Sequence, residues 1–162
     1  MLECWISVGS NVEREHSIRH GIADLKTCFG SLLLSPVYES AAVGFVGAPF
    51  YNLVVGINTT ASVGEINHQL RQIEDRHGRQ RGAEKFSPRT LDLDLLTYGD
   101  AVGCLDGYML PRPDIECPFV LAPLAAIAAA ERHPLSGQTY GALWSACPPP
   151  AHASVRQIQF EF

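Results

Sequence analysis

Pro88-Arg89-Thr90-Leu91-Asp92-Leu93-Asp94-Leu95-Leu96 alternates strictly between leucine and aspartate from Leu91 to Leu95. Side chains two apart on a strand share a face. The pattern predicts a strand over 90–98, with Leu91, Leu93 and Leu95 turned to a core and Asp92 and Asp94 side by side on the opposite face. At a strand's rise the two carboxylates lie about 6–7 Å apart along the chain, close enough to converge on hard divalent cations. Directly before them runs Gly78-Arg79-Gln80-Arg81-Gly82-Ala83-Glu84-Lys85-Phe86-Ser87-Pro88-Arg89, where Glu84 alone opposes the positive charge. Guanidinium groups stay ionised and bind phosphate bidentately. Carboxylates that hold metal beside arginines that hold phosphate are what a nucleoside triphosphate needs.

Working back toward the N-terminus, residues 62–65 form a capping box, Ser62-x-x-Glu65. Ile66, Leu70 and Ile73 follow at helical spacing and predict a helix ending near His77-Gly78. Residues 50–59 read as a strand, preceded by an apolar loop with Gly and Pro over 40–49. Residues 32–38 read as another strand. Ile18, Ile22, Leu25 and Phe29 predict a helix over 12–28, stopped by Gly30, and residues 2–8 predict the first strand. The order is βαββαβ, the ferredoxin-like arrangement of an α+β fold: an antiparallel sheet with two helices on one face. Beyond Gly99-Asp100, residues 101–104 are expected to pair back on the preceding strand. The C-terminal part adds a Pro-rich loop, a helix over 120–130, a short helix over 140–146 and a late strand from Val155. Pro148-Pro149-Pro150 reads as a stiff connector to that strand.

Composition narrows the classes. A chain of 162 residues with 46% apolar content is expected to fold as a single domain over 1–162. A net charge of −5 argues against a general nucleic-acid binder, and the positive charge clusters in 76–89 as if at a site. Five cysteines, none in a C-x-x-C pair, argue against zinc and redox motifs and fit a cytoplasmic protein with reduced thiols. No signal peptide is indicated, and the longest apolar run, 119–130, is too short to span a bilayer. No Walker-type phosphate loop is present. The histidines read as structural, and Ser10 has no base partner, so nucleophilic catalysis is unsupported.

A third group of residues is aromatic and amide-bearing. Phe50-Tyr51-Asn52 opens a strand, Phe86 lies in the basic loop and Phe119 opens the late helix. A flat heterocycle stacks on aromatic faces and pairs its ring edge with an amide, a role open to Asn52. Core packing is an equal expectation for Phe50 and Phe119. Glu74, on the polar side of its helix, reads as a ligand contact or as plain helix surface.

Together these residues resemble the 6-hydroxymethyl-7,8-dihydropterin pyrophosphokinase family of folate biosynthesis. The resemblance runs through Ile6-Ser-Val-Gly-Ser-Asn11, Pro49-Phe50-Tyr51-Asn52, Glu74-x-x-x-Gly78-Arg79-x-Arg81 and Pro88–Leu96. It continues into Leu110-Pro111-Arg112-Pro113 and Phe119-Val-Leu-x-Pro-Leu124. It implies ATP-dependent pyrophosphate transfer to the pterin hydroxymethyl group, with release of AMP. It implies two magnesium ions on Asp92 and Asp94, and catalytic roles for Arg79, Arg89, Asp92 and Asp94. On the ATP side it implies Glu74, Arg79, Arg81, Arg89, Leu95 and Arg112. Around the pterin it implies Ser40, Ala41, Val43, Phe50, Asn52, Phe86 and Phe119. The partners are then small molecules alone, with no nucleic acid and no membrane, and the chain is expected to be a monomer.

Three positions depart from the family pattern. Arg112 stands where the family usually has His in Leu-Pro-His-Pro, Cys117-Pro118 stands where an Arg usually precedes Phe-Val-Leu, and Phe86 replaces a loop tryptophan found in some members. The alternative they motivate is a catalytically altered paralogue that still binds pterin or nucleotide.

Overall fold

The computed structural model describes residues 1–41, 47–78 and 91–162. The chain runs β1 (Leu2–Ser10), α1 (Arg14–Phe29), β2 (Leu33–Leu34), β3 (Val37–Ser40), β4 (Phe50–Thr59), α2 (Val63–Arg76) and β5 (Asp92–Tyr98). It continues through β6 (Gly103–Leu105), β7 (Tyr108–Leu110), a 3-10 turn at Pro113–Glu116, α3 (Pro118–Ala128), α4 (Tyr140–Ser145), α5 (Pro149–Ala153) and β8 (Val155–Ile158). The main sheet is antiparallel, in the order β5-β1-β4-β3-β8, with β2 also paired to β4.

Alternation sorts the strands' side chains between two cores. Cys4, Ile6 and Val8 of β1, Leu53, Val55 and Ile57 of β4, and Leu91, Leu93 and Leu95 meet Ile18, Ile22 and Leu25 of α1 and Ile66, Leu70 and Ile73 of α2. On the other face Trp5, Val54 and Leu96 meet Ile115, Val120, Leu121, Leu124 and Tyr140, with Trp144 of α4 packed alongside. The sheet is thus covered on both sides. The register between β1 and β5 shifts between Trp5 and Ile6. At this bulge Thr97 Oγ1 accepts from the Trp5 amide at 3.2 Å. Leu95 and Leu96, neighbours in sequence, enter opposite cores by ordinary strand alternation.

Three expectations change. The strand expected over 32–38 is split into β2 and β3, because Pro36 has no amide to donate to the ladder. Ser35 replaces the missing pairing: its Oγ accepts from the Val54 amide at 2.9 Å and its own amide donates to Val54 O at 3.1 Å. Residues 103–105 pair forward with β7, not back on β5; Asp106 and Gly107 turn the hairpin, both with positive φ. Two prolines of the expected connector lie in the first turn of α5, where the missing donor costs nothing. The C-terminal strand joins the main sheet through β3.

The Ser62 box is present as read: Ser62 Oγ accepts from the Glu65 amide at 3.1 Å, and Glu65 Oε2 accepts from the Ser62 amide at 3.3 Å. Among the described residues no helix is long and apolar enough to cross a membrane.

Candidate active site

Register defines the site. Asp92 of β5 pairs with Gly9 of β1, and Gly9 pairs with Asn52 of β4. Directly paired residues project to the same face. Asp92, Gly9 and Asn52 therefore form one row across three strands, with Asp94 and Ser7 in the row beside it. Two strand spacings separate the carboxylates from the amide, about 10 Å. Gly9 leaves the middle of the row without a side chain. A Cβ there would meet Asn52 Oδ1 at 3.1 Å and Phe50 Cδ1 at 3.8 Å.

At the acidic end, Leu91, Leu93 and Leu95 are buried on the α1/α2 side, so Asp92 and Asp94 face the other way, as the alternation predicts. Burial and the neighbouring Asp92 charge push the Asp94 carboxyl up to about 7. Glu74 and Asp114 add to the rise, and Arg112 opposes it. Arg112 Nη1 lies 3.8 Å from Asp94 Oδ1, and its Nη2 lies 3.4 Å from Asp114 Oδ2. The Arg112 Nε is buried and has no hydrogen-bond partner among the described residues. Its backbone is fixed by an amide donation to Leu96 O at 2.9 Å.

Glu74 corrects the reading of a polar helix surface. It is only 5% exposed, and its Oε2 accepts from the Leu93 amide at 2.9 Å. The carboxylate thus satisfies an edge donor of β5 midway between the two aspartates. The signal was present in the sequence: Glu74 follows Leu70 by one turn, on the apolar stripe. Leu95 has its side chain in the α1/α2 core, so only its backbone is free to face a ligand.

At the other end, Asn52 is buried and donates from Nδ2 to Ser40 Oγ at 2.8 Å, which leaves its carbonyl oxygen over Gly9. Ser40 pairs with Phe50 across β3 and β4, and Ala41 follows, exposed. Phe119, in the first turn of α3, is half-buried against the second core. Sequence reasoning missed Asn11, whose Nδ2 donates to Ala48 O at 3.2 Å and tethers the loop before β4. It also missed Ser7, Gly9 and Asp114, which only the pairing and the fold bring here. Val43, Arg79, Arg81, Phe86 and Arg89 lie outside the described residues.

The family model for 7,8-dihydro-6-hydroxymethylpterin-pyrophosphokinase (HPPK) matches residues 5–129, which include both ends of this row. The chain belongs to the HPPK family. A 2-amino-4-hydroxy-6-hydroxymethyldihydropteridine pyrophosphokinase of Bacillus subtilis is 34% identical over 141 residues, covering 83% of this chain and 84% of its own length. A folate synthesis bifunctional protein of Chlamydia trachomatis is 33% identical over 145 residues, covering 83% of this chain. The chain spans 32% of that longer relative. A crystal structure of an HPPK-DHPS in complex with substrates superposes over 90% of this chain and 43% of its own, with a TM-score of 0.71 at 10% identity; it is a likeness of fold. The HPPK match takes in Arg112 and Cys117, the two departures read from the sequence. Cys117 is half-buried at the N-cap of α3, and burial raises its thiol.

Proposed function

We propose that the chain is an ATP-dependent pyrophosphokinase acting on 6-hydroxymethyl-7,8-dihydropterin in folate biosynthesis. The observation that carries this reading is the row Asp92–Gly9–Asn52. It sets paired carboxylates and a buried amide about two strand spacings apart across Gly9, whose missing side chain makes room for the Asn52 carbonyl oxygen. Family membership supports the same reading. In it, Asn52 reads the edge of the pterin, and Ser40, Ala41 and Val43 line the adjoining loop. Phe50, Phe86 and Phe119 supply apolar faces. Arg79, Arg81, Arg89 and Arg112 meet the phosphates, while Glu74 holds the strand that carries the aspartates.

The donor set fits divalent magnesium. Two hard carboxylates share a face, and burial together with the Asp92 charge pushes Asp94 up to about 7. Asp92 and Asp94 would hold two ions, and Arg112 would move from Asp94 to a phosphate. Bound magnesium neutralises charge that develops on the triphosphate. The pterin hydroxyl oxygen forms a bond to the β-phosphorus, the bond from that phosphorus to the bridging oxygen breaks, and AMP leaves with that oxygen. The hydroxyl proton is released, and no covalent intermediate with the protein is needed. Positioning and charge neutralisation carry the rate.

We further read the core as a ferredoxin-like βαββαβ unit within a single domain of residues 1–162, extended by β8; the strand order β5-β1-β4-β3 supports this. Both ends of the row come from one chain, which supports a monomer acting on small molecules. The mild net negative charge argues against nucleic acid, and the unpaired cysteines support a cytoplasmic setting.

The test is AMP release from ATP, magnesium and hydroxymethyl-dihydropterin. Turnover is expected, and Asp94→Ala should lower it at least about 100-fold while leaving the circular dichroism spectrum unchanged. Pterin binding without AMP release would instead favour the altered paralogue, for which the Arg112 contact with Asp94 is the motivating observation.

A further inference from the structure

Phe50 and Asn52 lie against Gly9 on the site face of the sheet, whereas Tyr51 between them packs on the opposite face, beside the α1/α2 core. Arg14, the first residue of α1, meets Tyr51 there. Its guanidinium carbon lies 3.8 Å from the centre of the Tyr51 ring. Its Nη1 donates to Glu39 Oε2 at 2.9 Å and to Pro49 O at 3.0 Å. Both contacts land next to site residues. Glu39 pairs with Tyr51 across β3 and β4 and precedes Ser40, whose Oγ accepts from Asn52. Pro49 precedes Phe50.

Residues 155–161 back the same edge. Arg156 of β8 donates from Nη2 to the other Glu39 oxygen, Oε1, at 2.9 Å. The Phe160 ring meets the Tyr51 ring edge-on, with centroids 6.1 Å apart at 85°. Arg19 of α1 holds Phe160 in turn: its guanidinium carbon is 5.0 Å from that ring, and its Nε donates to Glu161 O at 2.7 Å. This whole segment lies beyond the HPPK match, which ends at residue 129.

We propose that Arg14 is a positioning residue for the pterin, bracing the β3/β4 edge from behind with Phe160 as its backstop. The inference rests on the function proposed above, in which Asn52 reads the pterin edge and Phe50 offers an apolar face. Ser40 and Asn52 sit on different strands, so the bond between them keeps its geometry only while the two strands keep theirs. Arg14 joins β3, β4 and the residue before β4 through one group. A guanidinium suits this task because its fork offers several donors and its flat face stacks on an aromatic ring. An ion pair serving stability alone would need neither the Tyr51 ring beneath it nor the Pro49 carbonyl.

The experiment uses the full chain with magnesium. Calorimetry measures α,β-methylene ATP binding, and then hydroxymethyl-dihydropterin binding at saturating analogue. Arg14→Ala should weaken the pterin about tenfold while analogue affinity stays within about twofold. Arg14→Lys keeps the charge beside Glu39 but loses the fork, and should weaken the pterin less than Arg14→Ala does. Phe160→Ala, which removes only the backstop, should weaken it about threefold. Thermal midpoints identify the variants that remain folded; Arg14→Lys and Phe160→Ala carry the test if Arg14→Ala unfolds. Pterin affinity unchanged in the folded variants, or both ligands weakened alike, would overturn the brace and leave the functional reading standing. A wild-type chain that binds no pterin would overturn both.

Discussion

At the scale of single residues, Asp94 carries the sharpest consequence. Its carboxyl is held near 7 in the metal-free protein against an ordinary value of 3.8, chiefly by burial and then by Asp92. The folded chain therefore keeps a proton that the unfolded chain has lost. The stability contributed by neutral Asp94 is complete below about pH 4, falls as pH rises toward 7, and changes no further above it. Asp94→Asn should remove this fall and raise the thermal midpoint at pH 7.5; an identical pH profile in wild type and variant would refute it. Magnesium needs the ionised form, so below pH 7 its binding should release a proton. Calorimetry in two buffers of different ionisation enthalpy reads that proton directly. Asp92 and Asp94 were legible because period-two alternation dictates a face whatever the fold around it. Glu74 was not: its position on the apolar stripe was visible, but the Leu93 amide waiting for it was not.

At the scale of elements, the irregular pair β2 and β3 is the instructive one. Pro36 interrupts the ladder, and Ser35 closes the gap with its side chain at Val54. Ser35 is 2% exposed, so Ser35→Ala leaves the Val54 amide without that acceptor. The expected cost is about 1–3 kcal/mol, read as a lower urea midpoint with an unchanged slope; a midpoint within error of wild type would rule it out. Strand 50–59 and the Ser62-capped helix were readable because their signals are local: alternation, a cap, a stripe. The split at Pro36 and the forward pairing of β6 were not, because each depends on which partner strand satisfies the backbone. The proline run misled for a related reason. The same fixed φ suits an extended connector and a first helical turn, and the residues after the run decide between them.

At the scale of the molecule, an antiparallel sheet with helices packed on it was legible and the second covered face was not, since a 3.6-residue period says which side of a helix is apolar but not which side of a sheet it meets. A second titration belongs to this scale. Trp5 on β1 donates its indole N–H to Glu131 Oε2 at 2.8 Å, joining the sheet to the chain just beyond α3. Burial, with Glu3 beside it, pushes Glu131 up to about 7 from 4.5, so its contribution also falls as pH rises between those values. Glu131→Gln should flatten that part of the pH–stability curve, most visibly in an Asp94→Asn background; a curve unchanged by Glu131→Gln would count against it. The placement of Trp5 and Trp144 has a further consequence. Both of the chain's tryptophans lie in the core beneath α3 and α4, and the Trp144 ring sits 4.2 Å from His152. Intrinsic emission is therefore an optical probe of one layer only. Loosening of α1 and α2 would pass unseen in fluorescence while far-ultraviolet dichroism recorded it, so coincident melting curves from the two signals would mean that both layers unfold as one cooperative unit.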